Sequence, residues 1–330
     1  MRKFFSILFI LPLLPSAQIG GQLGYQSLNL TSNPRSAALS GSSISLADGD
    51  ISQFFENPAV LDSVASKSIF FHINPYFSDV SIYSMAYSFD IDDIHDFALG
   101  LNYVDYGSFE RTDETGMVLG TFSASDYVLY VGKAHQLGPF TLGASLKFIN
   151  TNIDTYSSSA LALDFAGIFR INKNWTFGMV FENMGVQLTN NSDINSASLP
   201  FDIKVGTSFK PEYMPIRFTF TSINLIDQNL SLNETTSVKS TSTFDRVLKR
   251  IHLGAEILLN KHFQLLVGYN HKRKQELKLE TRGEGAGFSY GLMVKVKQIQ
   301  FRFSRATYHA SGGSSFISLQ SNLRDFKKIL

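Results

Sequence analysis

Short and long connections alternate along this chain, and this alternation limits its fold more than any other feature. From Lys67 onward, short segments of alternating apolar and polar residues follow one another to the C-terminus. The short connections lie at 135–138, 171–174, 260–262 and 296–298, and the long polar ones at 106–125, 182–199, 225–250 and 270–285. Hairpins with tight turns at one end and long loops at the other are typical of an outer-membrane β-barrel.

Composition favours the same fold. Charged residues make up 17% of the chain, below the roughly 25% of a typical soluble domain. The 29 phenylalanines and 13 tyrosines suit strands that turn one face toward lipid. No run of about 18 apolar residues follows the N-terminus, so no transmembrane helix is predicted. The absence of cysteine excludes disulfides, thiolate catalysis and a cysteine-linked lipid anchor.

Residues 1–17 are predicted to be a secretory signal peptide. A positively charged start at Arg2-Lys3 precedes an apolar stretch and the small pair Ser16-Ala17. A buried N-terminal helix is the alternative, and Pro12 and Pro15 disfavour it. An exported chain of this composition either folds as a soluble β-sandwich or closes its backbone into a barrel.

Period-two alternation predicts the strands themselves. In Gln298–Ser304 the apolar side chains point one way and the polar ones, Arg302 among them, point the other; Ile216–Thr221 repeats this pattern around Arg217. An arginine between outward phenylalanines predicts a polar or packed lumen inside an apolar exterior. We predict an all-β, transmembrane antiparallel β-barrel of about 14 strands, each about 9–11 residues long. The predicted strands are 67–74, 80–90, 96–106, 125–135, 139–150, 159–171, 174–183, 201–210, 215–225, 251–259, 262–271, 286–296, 298–307 and 313–322.

Residues 18–66 differ from the rest of the chain, because they are rich in Gly, Ser, Asn and Ala and show weak periodicity. A barrel of about 14 strands is wider than its own side chains can fill, so it encloses a channel or a plug. We therefore predict that 18–66 form an N-terminal plug and 67–330 the barrel. A periplasmic tail is the alternative for 18–66.

Long loops of such barrels face outward and short turns face the periplasm. The connections predicted on the outer face are therefore 106–125, 150–158, 182–199, 225–250 and 270–285. Phe244–Arg250 is predicted to form one or two helical turns in an outer loop, since Asp245 lies near its start and basic residues lie near its end. If two consecutive outer loops adjoin, their basic residues would form a positive patch toward lipopolysaccharide phosphates or an acidic partner. Ordinary solvated loop charge is the alternative. These basic residues are Arg246, Lys249, Arg250, Lys272, Arg273 and Lys274.

One short element resembles a known superfamily. Asn57-Pro58-Ala59-Val60-Leu61 resembles the Asn-Pro-Ala-Gly-Leu element of the long-chain fatty-acid-transporter superfamily, whose fourteen-stranded barrels carry it between plug and first strand. Ser36–Asp48 resembles the small-residue run before that element. The resemblance implies a plug element at Asn57, Pro58 and Ala59, with Val60 in place of the family's glycine.

Further stretches are similar to the PorV/PorQ branch of that superfamily, which belongs to the type IX secretion system of Bacteroidota. They are Tyr106–Gly116 with Gly120–Asp126, Ala162–Gly167 and Phe181–Gly185. This resemblance implies a non-enzymatic anchor in the cell-surface attachment complex, where PorV holds the sortase PorU and PorQ partners the surface protein PorZ. The implied partners are a PorZ-like surface protein, the PorU/PorV attachment complex, and outer-membrane lipid including lipopolysaccharide. The superfamily's namesake implies the alternative, a FadL-like channel for hydrophobic compounds.

The long outer loops are the candidate partner contacts, because they are rich in Tyr, Phe and Arg, which interfaces favour. The residues predicted to make these contacts are Tyr106, Phe109, Arg111, Asp113, Phe244, Arg246, Arg250, Lys272 and Arg273.

No pattern of catalytic residues accompanies these features. The seven histidines are scattered singly, and neither a G-x-S-x-G nor a P-loop sequence is present. Asp113 and Glu114 are adjacent in sequence, which does not establish the opposed carboxylates of a glycosidase. The net charge of +1 indicates no nucleic-acid partner. The chain is therefore predicted not to be an enzyme and to bind no cofactor or metal.

Overall fold

Fourteen antiparallel strands close into a single barrel. The computed structural model describes residues 24–64, 66–91, 94–190, 198–226, 243–277, 285–309 and 312–326; the predicted signal peptide lies outside these ranges. The strands are β1 Ser68–Pro75, β2 Ser81–Ile91, β3 Ile94–Thr112, β4 Val118–Leu137, β5 Phe140–Ile153, β6 Tyr156–Asn172, β7 Trp175–Asn190, β8 Asp202–Phe209, β9 Ile216–Ser222, β10 Ile251–Leu258, β11 Phe263–Asn270, β12 Phe288–Val296, β13 Ile299–His309 and β14 Gly312–Asn322. The predicted all-β barrel of fourteen strands is confirmed.

Each strand pairs with its neighbours in sequence, and the first strand closes the barrel against the last. In the closing pair, Ser68 lies opposite Asn322 and Ile73 opposite Ile317. Closure leaves no free sheet edge along the paired region, so the backbone polar groups there bond to one another instead of facing hydrocarbon.

Alternation along each strand sorts side chains between lipid and lumen, as predicted around the two arginines. Phe301 exposes 37% of its surface outward, whereas Arg302 beside it exposes only 5% and faces the lumen. Arg217 also points inward, to carboxylates in the lumen. The predicted contrast between an apolar exterior and a packed lumen is therefore confirmed.

The strands β3–β7 are longer than predicted, and in three expected outer loops most of the described residues are strand. The expected loop 106–125 is the upper part of β3 and β4, joined by a turn at 113–117. The expected loop 150–158 is the end of β5 and the start of β6, and β7 continues to Asn190 inside the expected loop 182–199. Above the membrane both faces of a strand meet water, so the apolar alternation that reveals a strand in sequence is absent there.

Short helices occupy the N-terminal segment and two of the outer loops. Residues 24–64, called here the plug segment, contain α1 Pro34–Ala38 and the 3₁₀ helices Gln26–Asn29, Ile51–Phe55 and Pro58–Ser63. The outer loops carry α2 Thr243–Leu248, as predicted there, and α3 His271–Glu276; α4 Leu323–Phe326 follows the last strand.

The plug segment runs through the lumen from the outer end to the short-turn end. At the outer end, Tyr25 shares a hydrogen bond of 2.5 Å with Ser158, close to the β5–β6 turn. At the other end, the backbone N–H of Lys67 donates to the carbonyl of Ser88 at 2.7 Å, where β1 begins. Between these points the segment contacts strands on all sides of the barrel, with Ala38 against β12 and Ala59 against β5.

Inward-facing glycines let the plug segment approach the wall. A β-carbon built on Gly143 of β5 would lie 2.3 Å from the backbone nitrogen of Ala59. One built on Gly268 of β11 would lie 2.3 Å from the backbone nitrogen of Ser40. Both distances are far below van der Waals contact, so any side chain at these positions would displace the plug segment.

We expect Gly143→Val to weaken the folded barrel and Gly167→Val to leave it nearly unchanged. Gly167 lies on the neighbouring strand and faces outward, where a β-carbon would come no closer than 3.8 Å to Leu142. Overpacking at Gly143 should cost about 1–3 kcal/mol or more. The measurement is the temperature at which each purified variant changes from the fast-migrating folded form to the slow unfolded form on a gel. Equal transition temperatures for the two variants would contradict this packing.

Candidate functional site

The lumen has an apolar side, formed by the plug segment and strands β1–β6. Its largest cluster of buried apolar residues consists of Tyr25, Ile51, Phe54, Phe55, Leu61, Val64, Phe70, Ala86, Ala98, Val128, Tyr130, Ala134, Ile149, Ala160, Ala162 and Leu199. The ring of Phe55 meets that of Tyr130 edge to face, with centroids 5.2 Å apart. Since Tyr25 lies near the outer end and Val64 near the short-turn end, this apolar cluster extends through the barrel.

The opposite side of the lumen is charged and centres on Arg35 of α1. The Arg35 Nε donates to Glu256 Oε1 at 2.8 Å, and its two terminal nitrogens donate to Asp48 at 2.7 Å and Asp50 at 3.1 Å. Arg35 and Glu256 are almost completely buried, and Glu256 belongs to β10. A buried ion must be paired to be tolerated, so this contact ties the plug segment to the wall.

Two arginines from the wall complete the network. Arg217 of β9 lies 2.8 Å from Asp48 and 2.7 Å from Glu256, and Arg302 of β13 pairs with Asp50. Three guanidinium groups therefore face three carboxylates, and their formal charges balance. Because the partners come from the plug segment and three strands, the network holds the plug segment at several points.

A second buried polar cluster joins two of the stretches that resemble the PorV/PorQ branch. Lys147 Nζ lies 2.7 Å from Asp164 and donates to Asn183 Oδ1 at 2.9 Å. The backbone N–H of Asn183 donates to Asp164 at 2.9 Å, and Lys204 lies 2.7 Å from Glu182. Asn183 has φ 58°, at an irregularity where the β6–β7 register shifts. The two stretches thus meet as neighbours on adjacent strands.

The predicted plug element Asn57-Pro58-Ala59 is buried against β5. Asn57 caps its 3₁₀ helix by accepting from the backbone N–H of Ala59 at 2.8 Å, and its amide donates to the carbonyl of Ile44 at 2.6 Å. Val60 packs in an apolar cluster with Ile44. The residue that permits the close approach is therefore Gly143 of the wall, and Val60 is accommodated where the superfamily element has glycine.

The first predicted contact residues lie along the β3–β4 hairpin. Tyr106 is partly buried, and its hydroxyl donates to Asp126 at 2.8 Å. The ring of Phe109 stacks on that of Phe122 with centroids 5.4 Å apart. Tyr106 therefore braces the rim, while Phe109 remains 43% exposed on the projecting part of the hairpin.

Arg111 and Asp113 shape the end of the same hairpin. Arg111 forms an ion pair with Asp154 of the β5–β6 turn. Asp113 accepts from the Thr115 hydroxyl at 2.7 Å and from the Met117 backbone N–H at 2.9 Å. These hydrogen bonds hold the pKa of Asp113 below its ordinary value, so the turn carries a fixed negative charge at neutral pH.

The outer loops that carry α2 and α3 adjoin, as the predicted patch requires. His271 Nε2 lies 2.7 Å from Asp245 Oδ1, and the Gln275 amide donates to Asp245 at 2.6 Å. The hydrogen bond from His271 lowers the pKa of Asp245. Among the predicted contact residues, Phe244 and Arg246 lie in α2, Arg250 follows it, and Lys272 lies in α3; residues 227–242 of this loop lie outside the described ranges.

Arg273 is the exception among those basic residues, because its side chain is buried and turned into the lumen. It donates to the carbonyl of Ser40 at 3.3 Å, and its guanidinium lies 4.0 Å from the centroid of the Tyr308 ring. The prediction of Arg273 as a surface contact is therefore wrong: this arginine fastens α3 to the plug segment. The negative charge of Asp245 also interrupts the predicted positive patch of the two outer loops.

The charge network was missed in the sequence, although one signal for it was present. Alternation placed Arg217 and Arg302 inward, and the same rule applied to β10 places Glu256 on the lumen side. What alternation does not reveal is the pairing with Asp48 and Asp50, because the plug segment has no regular period. Its path depends on contacts with strands far away in the sequence.

A polar cavity of about 440 Å³ borders the charged side at the short-turn end. Asp48 and Asp50 line it from the plug segment, and the amides of Gln264, Gln298 and Gln320 line it from the wall. Among the described residues, no helix is long and apolar enough to cross a membrane. Within the same ranges, no group of His, Asp and Glu side chains is arranged to hold a metal ion.

The sequence matches no protein-family model and no curated protein. The fold is similar to that of the toluene transporter TbuX of Ralstonia pickettii, with TM-score 0.52 and 12% identity over 89% of this chain and 99% of that one. The toluene transporter TodX of Pseudomonas putida has a TM-score of 0.51 and 10% identity over 88% of this chain and 96% of that one. A FadL homologue of Pseudomonas aeruginosa has a TM-score of 0.50 and 10% identity over 88% of this chain and 98% of that one.

At such low identities the similarity establishes the fold alone, a closed β-barrel of the outer-membrane type. The protein is therefore an outer-membrane β-barrel. Its structural neighbours are transporters and channels, not enzymes, which is consistent with the predicted lack of catalytic function.

We expect Glu256→Gln to loosen the plug segment, because it leaves Arg35 and Arg217 with one carboxylate fewer. Breaking a buried ion pair in this way should cost about 3–5 kcal/mol. The urea midpoint of the purified barrel should fall, and trypsin should begin to cut after Arg35. Glu212→Gln, in the exposed β8–β9 turn, is the matched control. A barrel with Glu256→Gln that keeps both the midpoint and the trypsin pattern of the control would show that the network does not hold the plug segment.

Proposed function

We propose that this protein is a FadL-like outer-membrane channel for hydrophobic compounds, in which the plug segment controls passage. The observation that carries this proposal is the apolar side of the lumen, which reaches from Tyr25 at the outer end to Val64 near the short-turn end. An apolar compound crosses a protein most readily along apolar surface, since it then leaves no polar group without a partner.

Passage requires the plug segment to shift, because its residues fill the apolar side. Phe54 lies so close to the wall that a β-carbon on Gly132 would come within 2.2 Å of its ring. The ion network around Arg35 lies on the opposite side of the lumen. We infer that the apolar contacts open while the charged contacts keep the plug segment in the barrel, since apolar contacts are non-directional and ion pairs are specific.

Uptake measurements test the channel. Cells that lack the protein should take up less labelled oleate and toluene than cells that produce it. A disulfide between Ser32→Cys and Asn102→Cys should also block uptake when oxidised, because these two side chains are already in contact at 2.8 Å. The chain contains no cysteine, so this pair would be its only one.

Reduction should restore uptake in the double variant, and Ser32→Cys alone should transport normally throughout. Normal uptake by cells without the protein would contradict the channel. Undiminished uptake by the oxidised double variant, with the disulfide verified by mass spectrometry, would contradict a shifting plug segment.

A second candidate is supported by the projecting β3–β4 hairpin. We propose, as this alternative, a PorQ-like anchor of the type IX secretion system that holds a PorZ-like surface protein in a complex with PorU and PorV. The resemblances at Tyr106–Gly116, Ala162–Gly167 and Phe181–Gly185 support it, and so does a hairpin that extends beyond the barrel rim. A rigid barrel with such a projection suits attachment.

Co-purification separates the two candidates. From detergent-solubilised outer membranes, an anchor should bring down a PorZ-like protein in stoichiometric amount, and cells without the barrel should release that protein while still taking up oleate. A channel should bring down no PorZ-like protein. Cells without the barrel should then keep that protein at the surface and take up less oleate. Loss of the surface protein together with loss of uptake would support both roles.

A further inference from the structure

The upper part of the β3–β4 hairpin pairs with neither flanking strand. Pairing between β2 and β3 ends at Ser81 opposite Asp105, and pairing between β4 and β5 ends at Ala124 opposite Ile153. Among the described residues, the ladder from Phe109 to the turn pairs only with its own partner strand. The hairpin therefore stands above the barrel rim as a two-stranded ribbon, which is marginally stable by itself in water.

The ribbon is long enough to pass the lipid headgroups. Tyr127 of β4 stacks on Tyr103 with ring centroids 6.3 Å apart, and Tyr103 stacks on Tyr83 at 6.1 Å, which marks an interfacial aromatic row. From Tyr127 to Met117 the strand covers about 34 Å at 3.4 Å per residue. With a tilt of about 45°, the tip stands about 24 Å above this row, beyond a headgroup layer of about 5–8 Å.

The tip of the ribbon is apolar. Met117, Val118 and Leu119 expose 66%, 55% and 62% of their surfaces. At this height they can reach neither lipid tails nor the barrel core. Contiguous exposed apolar side chains rimmed by polar residues mark a protein interaction site.

An acidic collar surrounds the apolar tip. Glu110, Asp113 and Glu114 lie on the hairpin next to it, and the only basic residue between positions 108 and 121, Arg111, is paired with Asp154. The collar therefore presents unbalanced negative charge toward any partner. Complementary potentials favour a partner surface with the opposite sign.

We propose that Met117, Val118 and Leu119 form a docking knob for a soluble cell-surface protein that presents an apolar pocket rimmed by lysine or arginine. The apolar residues would enter the pocket, and the acidic collar would meet its basic rim. The proposal rests on the anchor candidate of the proposed function and gives it a contact site; the channel candidate does not depend on it.

Single-cysteine labelling in intact cells tests the knob, since the chain itself contains no cysteine. Leu119→Cys should react with a membrane-impermeant maleimide about tenfold more slowly in cells than after purification, as for a site occupied about nine-tenths of the time. Gly312→Cys at the outer start of β14, an exposed position where an added β-carbon would meet no atom within 4 Å, should react at similar rates in both states. Equal rates for Leu119→Cys in the two states would overturn the proposal.

Two further arms separate a protein partner from outer-leaflet saccharide. A wash in high salt, which screens the collar, should restore rapid labelling of Leu119→Cys. Adding Glu110→Lys and Glu114→Lys to Leu119→Cys should also restore it. Protection that survives both changes, or that occurs equally at Gly312→Cys, would mean shielding by lipopolysaccharide and would overturn the knob.

Co-purification with the PorZ-like protein distinguishes failure of the knob from failure of the anchor. Met117→Ser combined with Leu119→Ser should reduce capture at least about tenfold, which corresponds to about 1.4 kcal/mol of binding free energy, while the folded band on an unheated gel stays unchanged. Capture equal to wild type would overturn the knob and leave the anchor standing. No capture by the wild-type barrel would overturn the anchor and, with it, the knob as its contact site.

Discussion

Closure of the strand ladder is the constraint on which the rest of this structure depends. Hydrocarbon offers no hydrogen-bond partners, so each backbone group at membrane depth must bond sideways, and the pairing of β1 with β14 satisfies the last open edges. Strands are then forced to present one face to lipid and the other to the lumen. The inward arginines Arg217 and Arg302 are tolerated only because closure encloses them together with their carboxylate partners.

A closed cylinder of this width leaves space that its own side chains do not fill, and the plug segment occupies it. Two kinds of contact hold the segment. Inward glycines such as Gly143 permit backbone-to-backbone approach, and the balanced ion network around Arg35 ties the plug segment to β9, β10 and β13. The largest apolar cluster lies against β1–β6, whereas the Arg35 network lies against β9, β10 and β13. This division makes a partial displacement of the plug segment physically reasonable, because the two kinds of contact respond differently to an apolar ligand.

The two proposed functions use different parts of one scaffold. A channel would use the apolar side of the lumen, which is buried, whereas an anchor would use the projecting hairpin, which is exposed. The fold is shared with toluene transporters and with a FadL homologue. Because a barrel fold serves many roles, the function has to be inferred from the site. Apart from these two parts, Arg273 joins α3 in an outer loop to Ser40 of the plug segment.

From the sequence alone, the barrel, its strand number, its inward arginines and the helical turn at Asp245 could be predicted. The physical reason is that lipid on one face imposes a period of two, which is local and visible. Three features were decided by the tertiary structure. β3 and β4 continue beyond the membrane, where water on both faces removes the period; Arg273 turns into the lumen, where the Ser40 carbonyl and the Tyr308 ring lie; and Asp48 and Asp50 find Arg217 and Arg302 only once the plug segment lies inside the closed barrel. Each of these depends on which distant residues become neighbours, and a local pattern of residues does not contain that information.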